Sequence, residues 1–168
     1  MKKKKNINQK SINKTVKLIN IALFLLFISP VFYYFMTYLQ MAGSNQSFLD
    51  FLEASPQACL TMVYVCLNPF LGYILQLMKK RIQNCEDGSI VIINLVVMMI
   101  VQMLSMNIIY LCFIAYILYL TFDIYHISFK ELRHDISFSF LFSKVGGSIT
   151  LLLINLFLSV ININVLIN

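Results

Sequence analysis

Both histidines of the chain, His126 and His134, fall in one stretch with three of its seven carboxylates, Asp123, Glu131 and Asp135. Asp123-x-x-His126 and Glu131-x-x-His134 each place a carboxylate and an imidazole three residues apart, neighbours on one helix face. Pairs at this spacing bind iron in helix bundles, but there they come from different helices and further glutamates complete the site. Here both pairs share one short segment and the extra ligands are missing, so we expect no metal site and no cofactor. The segment reads instead as a membrane-surface helix, its charges solvated and Ile124, Ile127, Leu132 and Ile136 toward lipid. The sequence also has no GxSxG elbow, no HExxH and no phosphate-binding loop. No catalytic residue is expected, and the chain reads as a non-enzyme. Cys59, Cys66, Cys85 and Cys112 form no CxxC and no Cys/His cluster of zinc spacing. Three of them lie in apolar runs, and small buried hydrophobes is the expectation for the set.

Two groups of residues are left that could do more than pack. The segment 41–55 holds Asp50 and Glu53 and no basic residue. Within it, Ser47 to Glu53 reads as a short helix capped by Ser47, with Asp50 at the third position of a capping box. Phe48, Leu49, Phe51 and Leu52 would lie against the membrane interface. The plain reading is a linker helix. The functional one makes Asp50, Glu53, Phe48 and Phe51 an acidic–aromatic docking site for a cationic peptide or another membrane protein.

The second group is a set of uncharged polar residues at helical spacing within apolar runs. Ser148, Asn155, Ser159 and Asn162 form one stripe; Asn94, Gln102 and Ser105 form another; Asn68 precedes Pro69, with Gly72 one turn on. Asn68, Asn94, Gln102, Asn155, Ser159 and Asn162 are expected to hydrogen-bond between helices, at about 1 kcal/mol or less each. The alternative is a polar path through an oligomer. No charged residue lies deep in an apolar run, which argues against a pump.

The elements that must position these residues follow from composition. The 168 residues are 60% hydrophobic and 12% charged, with a mean hydropathy of +0.80, where a soluble domain carries about twice that charged fraction. The expected class is an all-α, polytopic transmembrane helical bundle, too short for a separate catalytic domain. Apolar runs cover 18–39, 57–78, 90–122 and 145–167. Three of these match the roughly 20 residues that cross a 30 Å hydrocarbon core. The third, as one helix, would measure about 50 Å. It is either one protruding span or two short ones broken at Ser105-Met106-Asn107, its most polar point.

Charge favours two, and hence five spans over four, at about 18–39, 57–78, 89–105, 107–127 and 145–167. With five, every Lys and Arg faces the same side; with four, Lys130, Arg133 and Lys144 fall on the other. Pro30 and Pro69 sit inside spans and should kink them unless neighbours satisfy the freed carbonyls.

Seven of the thirteen Lys and Arg precede residue 18. Abutting a long apolar run, they read as a cytoplasmic tail, 1–17, held by anionic lipid headgroups rather than by nucleic acid. The run 18–39 exceeds a signal-peptide core, so the first span is expected to stay, and 18–168 reads as one transmembrane domain. Heavy use of Lys, Asn, Ile, Phe and Tyr with no Trp fits an AT-rich coding sequence and a bacterial inner membrane.

Phe122-x-x-x-His126 is similar to one motif of CAAX-protease-like intramembrane enzymes, but their paired glutamates are absent. Ile28-Ser-Pro-Val-Phe-Tyr33, Phe51-Leu-Glu-Ala-Ser-Pro56 and Leu67-Asn-Pro-Phe-Leu71 together resemble uncharacterised small multipass membrane proteins of Gram-positive bacteria, over about half the chain. That resemblance implies class and location only. The favoured function is an accessory or immunity-type membrane protein acting by helix packing or peptide binding. The alternative is a small transporter, channel or holin-like subunit.

Overall fold

A computed structural model of the protein describes residues 9–42, 47–127 and 138–167. These form six helices: α1 (Gln9–Met41), α2 (Phe48–Ala54), α3 (Pro56–Gln83), α4 (Gly88–Leu104), α5 (Ile108–Tyr125) and α6 (Phe138–Ile167). No strand occurs among the described residues. Helices α1, α3, α5 and the 144–165 part of α6 are long and apolar enough to cross a membrane; α4, with 17 residues, is shorter. The fold is an all-α bundle of the polytopic membrane type.

The apolar run 90–122 is two helices. Helix α4 stops at Leu104, and Met106 takes a left-handed conformation at φ 53°. The Asn107 N–H donates to the Gln102 carbonyl at 3.0 Å and the Met106 N–H to Met103 at 3.1 Å, the two bonds of a Schellman motif. Helix α3 ends the same way: Cys85 is left-handed at φ 52°, Glu86 N–H reaches Arg81 O at 2.9 Å and Cys85 N–H reaches Ile82 O at 3.2 Å. Neither corner uses the glycine usual at that position.

Pairwise contacts fix the directions of the helices. Helix α1 runs antiparallel to α3, since Tyr33 OH meets Ala58 O at 2.8 Å while Asn68 meets Ser29 at 3.0 Å. Helix α6 runs parallel to α4: Ser148 pairs with Asn94, and further along Asn155 pairs with Ser105. The starts of α1, α4 and α6 therefore gather with the ends of α3 and α5. Every described Lys and Arg lies at that end: Lys10, Lys14, Lys17, Lys79, Lys80, Arg81 and Lys144. Asp50 and Glu53 lie at the other.

Helix α1 is already formed nine residues before the apolar run and spans about 50 Å over Gln9–Met41, so its lysine-bearing turns extend past a 30 Å core. They rest on α5, with Lys14 Nζ 5.5 Å from the Tyr116 ring centre and Ser11 Oγ donating to Asp123 at 3.5 Å. Short as it is, α4 is the most enclosed helix: Ile90, Val91, Ile92, Leu95, Met98 and Val101 are sealed. Its start is tight because a Cβ on Gly88 would lie 2.5 Å from Tyr125 ring atoms. Phe24, Phe32, Leu153 and Phe157 point outward and form part of a broad apolar exterior.

Candidate functional site

Two polar clusters run through the apolar interior. The first joins α1, α3 and α5 at Pro30. Proline has no N–H for the carbonyl four residues back, which here is Leu26 O. The Ser29 hydroxyl donates to that oxygen at 2.9 Å and accepts from Asn68 Nδ2 at 3.0 Å. One residue along, Tyr110 OH donates to Leu25 O at 2.9 Å. Neighbouring side chains thus satisfy the backbone around the proline in the way a bilayer requires. Asn68 was legible as a polar residue in a span; Ser29 and Tyr110 were not singled out. The Ser-Pro dipeptide was the available signal for the first.

The second cluster is the α4–α6 seam. Ser148 Oγ donates to Asn94 Oδ1, and Asn94 Nδ2 returns to Ile90 O at 2.8 Å. Ser105 Oγ donates to Asn155 Oδ1 at 2.9 Å, and Asn155 Nδ2 to Leu151 O at 2.9 Å. Ser159 Oγ lies 3.3 Å from Leu104 O and 2.8 Å from Asn155 O, with Tyr64 OH at 3.4 Å. Asn162 is half-buried and makes no hydrogen bond among the described residues.

Gln102 departs from the expectation of interhelical bonding. It is 1% exposed, yet neither Nε2 nor Oε1 has a hydrogen-bond partner among the described residues.

At the acidic end, the capping box of α2 is formed: Ser47 N–H donates to Asp50 Oδ2 at 3.0 Å and Asp50 N–H to Ser47 Oγ at 3.2 Å. Hydrogen bonding from Ser47, side chain first and backbone second, holds the Asp50 carboxyl below its ordinary value. Asp50 and Glu53 are exposed. Phe48 is half-buried with its ring centre 5.1 Å from that of Tyr34, and Phe51 is half-buried too. The four residues share one short helix, but Phe48 also fastens that helix to α1.

At the basic end, a cleft of about 330 Å³ opens between the last turns of α3, the start of α4 and the first turns of α6. Lys80, Arg81 and Lys144 line it together with Glu86, which is 3.7 Å from Arg81 and accepts from Asn84 Nδ2 at 3.0 Å. Single residues along the sequence gave no sign of this cleft, because its cations come from two helices more than sixty residues apart.

The carboxylate–histidine stretch is described only at its start. Asp123 is exposed on α5, and His126 ends that helix in a left-handed conformation at φ 48°; Glu131, His134 and Asp135 lie outside the described residues. No group of three or more His, Cys, Asp or Glu that could hold a metal occurs among the described residues. The cysteines are a correction: Cys59, Cys66, Cys85 and Cys112 are free thiols and all exposed, not core residues. A thiol is apolar enough to face lipid as readily as another side chain, so an apolar run says nothing of which way it points. Comparison of the chain with protein-family models, with curated proteins and with solved structures gives no match.

Proposed function

We propose that this chain is a non-catalytic accessory protein of a bacterial cell membrane, of the immunity type, with its N-terminus in the cytoplasm. On this reading it works at its outer end, where Asp50, Glu53 and the aromatic side of α2 meet a cationic peptide or a membrane partner. The observation that carries it is how polarity is distributed. Asn68, Asn94, Ser148 and Asn155 bond to one another's helices or their own, while the charges stand at the two ends. The basic end is assigned to the cytoplasm by the positive-inside rule. A protein of this design offers surfaces rather than a lined path.

The test is expression of the chain in a sensitive bacterium challenged with a panel of cationic antimicrobial peptides. Protection from one of them, lost in Asp50→Asn/Glu53→Gln with membrane levels unchanged, supports the reading. Unchanged sensitivity across the panel, with no membrane protein copurifying, overturns it. One observation favours a second reading, a small transporter or channel subunit: the buried amide of Gln102 has no partner among the described residues. Solute flux through vesicles carrying the chain, abolished by Gln102→Leu in a folded protein, would support that reading instead.

A further inference from the structure

We infer that the cleft at the basic end binds the phosphate headgroup of an anionic phospholipid drawn from the surrounding bilayer. Three cationic side chains, Lys80, Arg81 and Lys144, line the cleft against the single carboxylate of Glu86. That carboxylate is already engaged, with Arg81 at 3.7 Å and the Asn84 amide at 3.0 Å. Lys80 and Lys144 have no carboxylate within ion-pair distance among the described residues, so the cleft keeps a net positive charge.

Apolar side chains line the cleft beside these cations. Up to two turns before Lys80 and Arg81 on the same helix stand Ile74 and Leu77, and Leu77 is open to the exterior. Gly147 on α6 leaves the groove between α3 and α6 unfilled: a Cβ built there would meet only Ile74 Cδ1, at 3.8 Å. A cationic rim above an apolar gutter matches an amphiphile. A free anion would gain from the rim and nothing from the gutter.

Position and size agree with this occupant. The cations begin where the apolar part of α3 ends, after Met78, which is headgroup depth for a spanning helix. About 330 Å³ lies at the low end of ligand pockets, roughly 300–1,000 Å³. That holds a headgroup with the acyl chains outside along the gutter. Basic pockets between transmembrane helices at the cytoplasmic face are a known form of headgroup recognition. The site is at the opposite end from α2 and its test reads lipid, not peptide, so it stands or falls separately from the docking role of α2.

The experiment is native mass spectrometry of the delipidated full-length chain in detergent, titrated with phosphatidylglycerol or phosphatidylcholine. The wild-type chain should bind phosphatidylglycerol in preference. A lysine beside an anionic headgroup is worth about five-fold in affinity, so Lys80→Gln/Lys144→Gln should weaken phosphatidylglycerol about thirty-fold. Gly147→Leu, which keeps every charge and fills the gutter, should also weaken it, and replacing Lys2, Lys3, Lys4 and Lys5 by glutamine should leave the preference in place. Equal binding of the two lipids by the wild-type chain overturns the inference. So does a preference lost with the tail lysines but kept in Lys80→Gln/Lys144→Gln. Inorganic phosphate binding as tightly as the lipid would assign the cleft to a free anion and overturn the lipid.

Discussion

Gln102 is the residue at which stability and function part company most cleanly. Its amide is 1% exposed, on the most enclosed helix of the bundle, and both of its polar atoms lack partners among the described residues. A buried donor or acceptor without a partner costs about 1–3 kcal/mol. Gln102→Met removes both polar atoms and keeps an unbranched stem. Methionine has one heavy atom fewer but, with its large sulfur, fills a similar volume, so no cavity is left and refitting its neighbours offsets at most about 1 kcal/mol. The expected net result is a protein more stable by about 1 kcal/mol or slightly more. The assay is unfolding of the purified chain in mixed micelles by SDS titration, followed by far-ultraviolet circular dichroism. Asn94→Met is the matched control: it takes the acceptor away from Ser148, itself 1% exposed, and should destabilise. If Gln102→Met instead loses 1 kcal/mol or more, the amide is bonded in the working protein. The reasoning from its isolation is then wrong, and the channel reading, which draws on the same isolation, loses its support as well.

Three further outcomes are expected. Gly88→Ala should destabilise by about 1–3 kcal/mol in the same titration, because its Cβ would sit 2.5 Å from the Tyr125 ring; in a Tyr125→Ala background the loss should shrink, and strict additivity would refute the clash. Asn155→Leu should lose less than about 1 kcal/mol, since the Ser105 hydroxyl keeps Val101 O at 2.8 Å as a second acceptor. A loss above about 2 kcal/mol would give Asn155 a larger part than the seam provides. Asp50 has a folded-state pKa below its unfolded one, so its support for α2 is complete above the ordinary carboxylate range and is lost as pH falls through the lowered value. Carboxyl-carbon nuclear magnetic resonance should record that low titration point, and Ser47→Ala should move it back up.

What was legible in the sequence was whatever depends on runs and punctuation. The apolar run 90–122 broke at its most polar point, and the structure turns there. The turn was not legible as a turn: Met106 and Cys85 sit left-handed where glycine would have announced the corner. The capping box at Ser47 was readable because both arms lie within four residues. The early part of α1 was not, because lysines hide a helix that hydropathy alone cannot see, and the chain is already helical at Gln9.

For the candidate sites the division follows distance along the chain. Stripes on one helix could be listed from spacing, whereas their partners could not: nothing local tells Asn94 that it meets Ser148, or Ser29 that it meets Asn68. The direction in which a cysteine points on a helix apolar all round is equally silent, and there the expectation of burial failed. The basic cleft needs α3 and α6 side by side before its three cations become one site.

The parallel pairing of α4 with α6 also sets an order of events during insertion. Asn94 and Ser148 are 54 residues apart and Ser105 and Asn155 are 50 apart, with the whole of α5 between them. Were α4 to enter the bilayer before α6, the Oδ1 of Asn94 would face hydrocarbon that offers no donor, on a helix of about 26 Å that falls short of the core. Membrane residence of α4 would then be provisional until α6 arrives. A chain interrupted between α5 and α6 would display that fault along one helix face, and membrane quality control could recognise an unfinished molecule by it.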